Sequence, residues 1–159
     1  MKKTTFILSI LLMVCLQTSA QHIGLKFQDA EKQGIGMKHL DSIYKSAVHT
    51  DNMQAVFKTE KEQQAMGEAY VKLLQDFGKF LNHHKFKWEK PARCFNRIYF
   101  SPDGTIDYFL FNFTGNPEDR PSEEVQKEFQ RLLNLFIQEY KISLTAKVKF
   151  AQCSPTTYR

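Results

Sequence analysis

Cys94-Phe95-Asn96-Arg97-Ile98-Tyr99-Phe100-Ser101-Pro102-Asp103-Gly104-Thr105-Ile106-Asp107-Tyr108-Phe109-Leu110-Phe111-Asn112-Phe113 is the stretch that decides the fold. Two aromatic, β-prone runs, 94–100 and 105–113, flank Ser101-Pro102-Asp103-Gly104. Pro presets φ at the first turn position, Asp tolerates the second, and Gly supplies a positive φ at the last. The stretch reads as a β-hairpin closed by a glycine bulge. With a three-residue loop, Ile98, Phe100, Ile106, Tyr108 and Leu110 share one face. Phe95, Arg97, Tyr99, Asp107, Phe109, Phe111 and Phe113 share the other. Both faces are too apolar for water, so each needs cover. The expected cover is the helix after the hairpin on one side and the helices before it on the other.

Downstream, 114–121 is a loop rich in Gly, Asn and Pro. Ser122 is placed to cap a helix whose first turn carries Glu123 and Glu124, favourable against the helix dipole. Val125, Phe129, Leu132, Leu133, Phe136, Ile137 and Tyr140 give that helix a broad apolar face. Ile142, Leu144, Ala146, Val148 and Phe150 then alternate with Ser143, Thr145, Lys147 and Lys149, the period of a strand with one wet face. Residues 154–159 read as a tail. The unit over 94–153 is therefore β-β-α-β. An all-antiparallel arrangement places its first strand in the middle, a three-stranded sheet of order 2-1-3.

Upstream, 21–36 reads as a flexible entry, and Met37, Leu40, Tyr44, Ala47 and Val48 mark one face of a short helix. Thr59 and Glu62 form a capping box. Beyond it Met66, Tyr70, Leu73, Phe77 and Phe80 lie on one stripe of a helix reaching about residue 82. Gly67 and Gly78 weaken that helix by about 1 kcal/mol each relative to Ala, and a helical glycine also lets a neighbour approach closely. The fold class is α+β, with two or three N-terminal helices (37–82) packed with the β-β-α-β part in a single domain over 21–159.

The run Arg97-Ile98-Tyr99-Phe100-Ser101-Pro102-Asp103-Gly104-Thr105-Ile106, followed by loop, helix and strand, resembles the carboxy-terminal domain of TonB energy transducers. The resemblance covers about 94–153 and is one of topology. It implies a mode of action, pairing of a partner protein's segment with an exposed sheet edge.

Residues 1–20 carry a compartment signal. Lys2 and Lys3 precede an apolar run over 6–16, and Thr18-Ser19-Ala20 places small residues where a signal peptidase reads them. Cleavage after Ala20 would leave Gln21 as the mature start, in the periplasm or outside the cell. The run is too short for a span of about 20 residues, and no later apolar run is long enough either. Loss of Lys2 and Lys3 lowers the net charge of +5 by two. That mild excess suits an anionic envelope component or glycan and does not call for nucleic acid. In an oxidising compartment Cys94 and Cys153 would pair, because the topology brings the start of the first strand beside the end of the last.

No constellation meets the requirements of catalysis or cofactor binding. His83-His84 point about 100° apart on a helix and do not chelate. Gly34-Ile35-Gly36 lacks the third glycine and the preceding strand of a dinucleotide loop. Asp103, Asp107, Glu118 and Asp119 read as solvated turn and loop acids. The expectation is a non-enzymatic binding or adaptor domain without metal or cofactor; the alternatives are an envelope enzyme whose catalytic residues carry no recognisable pattern, or a structural envelope component. Its candidate surface is Phe95, Arg97, Tyr99, Phe109 and Phe111 on the hairpin, with Lys147 and Lys149 guarding the edge of the last strand.

Overall fold

The computed structural model describes residues 22–159, so the leader over 1–20 and the start at Gln21 lie outside the described residues. The element order is β1 (Ile23–Lys26), α1 (Phe27–Lys32), α2 (Met37–Ile43), β2 (Lys45–Ser46), α3 (Glu60–His83), β3 (Ala92–Phe100), β4 (Ile106–Phe113), α4 (Glu123–Glu139) and β5 (Phe150–Tyr158). The class is α+β. The expected three-stranded antiparallel sheet is overturned: the sheet has five strands in the order β1-β4-β3-β5-β2. It is mixed, with β3 antiparallel to β4 and β5, β1 parallel to β4 and β2 parallel to β5.

The hairpin forms where the turn chemistry puts it. Gly104 N–H donates to the Ser101 carbonyl at 2.9 Å, and Ser101 N–H donates to Thr105 at 2.9 Å. Gly104 sits at φ +91°, and a Cβ there would lie 2.6 Å from the Leu144 carbonyl oxygen. Only glycine meets both demands. The expected face pattern is wrong by one position along β4. Tyr99 pairs with Tyr108 but Phe100 with Ile106, so Asp107 is an extra, bulged residue. Phe109, Phe111 and Phe113 are thereby turned to the side of Ile98 and Phe100, away from Tyr99.

On that side α3 and α4 both cover the sheet. Phe77, Phe109, Phe111, Phe129 and Phe150 are fully buried there, each stabilising by roughly 1.5–3 kcal/mol relative to exposure. Thr59 and Glu62 form the capping box of α3, and Ser122 caps α4. The second face carries a smaller core of Leu25, Ala30, Leu40, Tyr44, Tyr99 and Leu110. The helices on that face are short, α1 with 6 residues and α2 with 7. They leave the far end of β3 and β5 uncovered, where Arg93, Cys153, Pro155 and Thr157 are exposed. The expected division of cover is therefore corrected, because α3 joins α4 instead of facing it.

Three further expectations change. The entry over 21–36 contains β1 and α1. The alternating segment 142–149 is not a strand: Ile142 N–H donates to Gly104 at 3.0 Å and Ala146 N–H to Pro102 at 2.8 Å, so it packs on the hairpin turn. The last strand is β5, which takes in most of the expected tail over 154–159. This shift also undoes the disulfide. Cys94 lies opposite Thr156, and Cys153 opposite Arg97, three positions along β3. An odd offset puts the two side chains on opposite faces. Both are free thiols, Cys94 buried and Cys153 exposed.

Candidate functional site

The two edges of the sheet are finished differently. At β1, the Asn134 side chain of α4 accepts from Gly24 N–H at 2.9 Å and donates to the Gly24 carbonyl at 2.9 Å. One turn on, Gln138 donates to the His22 carbonyl at 3.0 Å. Two amides thus occupy both backbone groups of Gly24 and the carbonyl of His22 just before β1. At the other edge β2 pairs with only Phe150 and Ala151 of the nine-residue β5. Ala47 N–H donates to Ala151 at 2.8 Å, which shows that Ala151 directs its backbone outward. By the period of two, Cys153, Pro155 and Thr157 do so as well. No described strand pairs with this part of the edge.

Two devices temper it. Pro155 has no N–H and fits only an edge strand, and the Gln152 side chain donates to the Cys153 carbonyl at 3.2 Å. The first removes an outward donor and the second occupies an outward acceptor. Such blunting keeps an open edge from pairing indiscriminately.

Beside the end of this edge runs a groove of about 280 Å³. Its wall is the stripe Val71, Leu74 and Gly78 of α3, spaced by three and four residues, and Trp88 and Tyr158 close its base. Val71 is 52% exposed. A Cβ added at Gly78 would meet nothing within 4 Å. Trp88, the chain's single tryptophan, stacks on Tyr158 with centroids 5.5 Å apart.

On the opposite face a second groove, about 370 Å³, lies between α2 and β5 and is lined by Asp41, Tyr44, Arg97, Gln152 and Cys153. Arg97 pairs with Asp41 at 2.6 Å, and its Nε donates to the Tyr99 hydroxyl at 2.9 Å. Tyr99 in turn donates to Asp41 at 3.1 Å. Below this, Asp107 is 3% exposed and accepts from Tyr44 at 2.6 Å, Ser101 at 2.8 Å and Lys149 at 3.0 Å. Burial, reinforced by the bond to Asp107, pushes the Tyr44 phenol far above its ordinary value, and burial does the same at Tyr99. The Asp107 cluster has its hydrogen-bonding groups engaged internally and ties the bulge to α2.

The candidate residues are thus dispersed. Arg97 and Tyr99 are joined through Asp41, and Phe95 is half-buried edge-on to Phe27. Phe109 and Phe111 are fully buried beneath α3 and α4 and present no surface. Lys149 is bound to Asp107, and Lys147 is exposed on a segment outside the sheet. The edge itself, Cys153 to Thr157, escaped the sequence pattern, although Pro155 among Ser and Thr is the signature of an edge strand.

Among the described residues no three His, Cys, Asp or Glu side chains gather as a metal site, and no helix is long and apolar enough to cross a membrane. No protein-family model, curated protein or solved structure matches the chain.

Proposed function

We propose that this is an exported, non-enzymatic binding domain that takes up an extended segment of a partner protein along the outer edge of β5. The observation that carries this reading is the contrast between the edges: α4 amides occupy the outward groups of Gly24 and His22, while Cys153, Pro155 and Thr157 face outward beyond β2. A segment laid there gains main-chain hydrogen bonds from β5, and its alternate side chains rest on Val71, Leu74 and Gly78. Pro155 costs the complex one donor and limits self-pairing of the free protein.

The test is a photoreactive residue placed at Val71 in the producing cells. Leu135 of α4, also an exposed apolar residue at 47%, serves as the control site. Crosslinks are expected from Val71 and not from Leu135, and they disappear when Gly78→Phe fills the groove. Equal capture from both sites, or capture indifferent to Gly78→Phe, rejects the reading. N-terminal sequencing of the exported protein checks the mature start at Gln21. Loss of partner-dependent function on His83→Ala, with the fold intact, would argue for catalysis instead.

A further inference from the structure

We infer that the segment taken up at β5 is an acidic peptide whose carboxylates lie beside Lys90 and Arg93; this rests on the strand-addition reading above. A groove of about 680 Å³ opens between the start of β3, the loop after β4 and the end of β5. Lys90, Arg93, Thr114, Asn116, Thr157 and Arg159 line it, with Asp119 as its single acidic side chain. Thr157 and Arg159 also line the groove beside α3. The apolar slot lies on the α3 face and the basic groove on the uncovered face that carries Arg93, so the two flank the end of the open edge. A strand that pairs past Pro155 sends alternate side chains to the two faces.

The cations of this groove are incompletely used within the protein. Lys90 donates to the Glu118 carbonyl, a neutral partner. Arg93 is exposed on the uncovered sheet face and forms no salt bridge among the described residues. Asp119 accepts a long bond from Asn116 at 3.4 Å and pairs with neither cation. The open edge and the adjacent positive groove ask for one ligand chemistry: an extended chain that pairs with β5 and places carboxylates beside the cations. Charge complementarity of this kind chooses partners and orients the strand.

The experiment is selection of a random peptide display library on the purified chain. Selected peptides should carry apolar residues at alternate positions and Asp or Glu among the positions between them. Their affinity, read by Trp88 fluorescence, should fall about tenfold or more in Lys90→Glu/Arg93→Glu and weaken as salt is raised. Binding should be lost in Gly78→Phe. Neutral or basic selected peptides, or affinity unchanged by the charge reversals, would overturn the acidic-peptide inference while strand addition stands, provided Gly78→Phe still abolishes binding. If no peptide is enriched, or if Gly78→Phe binds as well as the parent, both readings fall. Dextran sulfate bound through Lys90 and Arg93, and indifferent to Gly78→Phe, would give the groove to an anionic glycan and also overturn the inference. Circular dichroism of each variant separates lost binding from lost fold.

Discussion

Asn134 of α4 holds Gly24 of β1 by both of its backbone groups, at 2.9 Å each, so a helix side chain replaces the strand that this edge lacks. The approach depends on the missing side chain: a Cβ at Gly24 would lie 2.8 Å from Leu133 Cδ2, and Leu133 is fully buried. Gly24→Ala should therefore cost about 1–3 kcal/mol through overpacking. Asn134→Ala should cost about 1 kcal/mol and speed amide exchange in β1. Exchange at Gly24 unchanged in Asn134→Ala would show that the carboxamide does not hold the edge.

Asp107 is the buried anchor of the second face. In Asp107→Asn the hydroxyls of Tyr44 and Ser101 lose their anionic acceptor, and the expected loss is about 2–4 kcal/mol. Lys149, whose side chain is 42% exposed, can turn to water, so Lys149→Ala should cost no more than about 1 kcal/mol. Urea unfolding of both variants checks the order. Equal losses would mean that the ion pair, rather than the hydroxyl cluster, sets the stability.

The local features were legible because local chemistry specifies them. The Ser101–Gly104 turn, the Thr59–Glu62 box and the Ser122 cap all stand where their residue types put them. The register of β4 was hidden by one residue, since an Asp inside an aromatic run is the sole trace of the bulge at Asp107. Over 142–147 the alternation is real in burial, with Ile142 buried and Ser143 exposed, and it breaks at the exposed Val148. Its hydrogen bonds go to Pro102 and Gly104 instead of a sheet neighbour, which periodicity alone does not encode. β1 has four residues including a glycine, too few to show a period, and its pairing with β4 is wholly long-range. β5 is polar on one face because it meets a polar core. There Asn96 donates to Thr156 and to Tyr158 at 3.1 Å each, and Tyr70 accepts from Ser154 at 3.1 Å.

The opposite-face placement of the cysteines predicts two different reactivities. Burial pushes the Cys94 thiol up to about 12, so it resists thiolate chemistry in the native state. Cys153 is exposed. A thiol reagent should label Cys153 at once and Cys94 only upon unfolding. Rapid labelling of both in the native protein would contradict the sheet register, as would a mass showing an intramolecular disulfide.

Alkaline stability follows from the phenols. Burial raises Tyr70 and Tyr140 to about 12, and pushes Tyr44, Tyr99 and Tyr158 further up. The ordinary value is about 10, so below that pH both states are protonated and the full stability is present. Above it the unfolded chain sheds protons that the native protein keeps, and stability falls as pH rises toward the folded values. Urea midpoints should decline above about pH 10, and Tyr44→Phe should lessen the decline. A flat profile there would mean that these phenols ionise freely in the folded protein.

Gly78 separates the free protein from its complex by the sign of one substitution. In the interior of α3 a glycine is destabilising by about 1 kcal/mol relative to Ala. A Cβ there meets nothing within 4 Å, so Gly78→Ala has no steric cost to set against that gain. The thermal midpoint of the free protein should rise. Gly67→Ala, also without neighbours, should raise it equally and serves as the control. The groove beside β5 includes Gly78 and not Gly67, so only Gly78→Ala should weaken capture of a partner segment, since its methyl group occupies space the segment needs. Opposite effects on stability and binding at Gly78, with stability alone changed at Gly67, are the result expected of a helix kept open for a strand. A destabilised Gly78→Ala would show instead that the glycine serves internal packing.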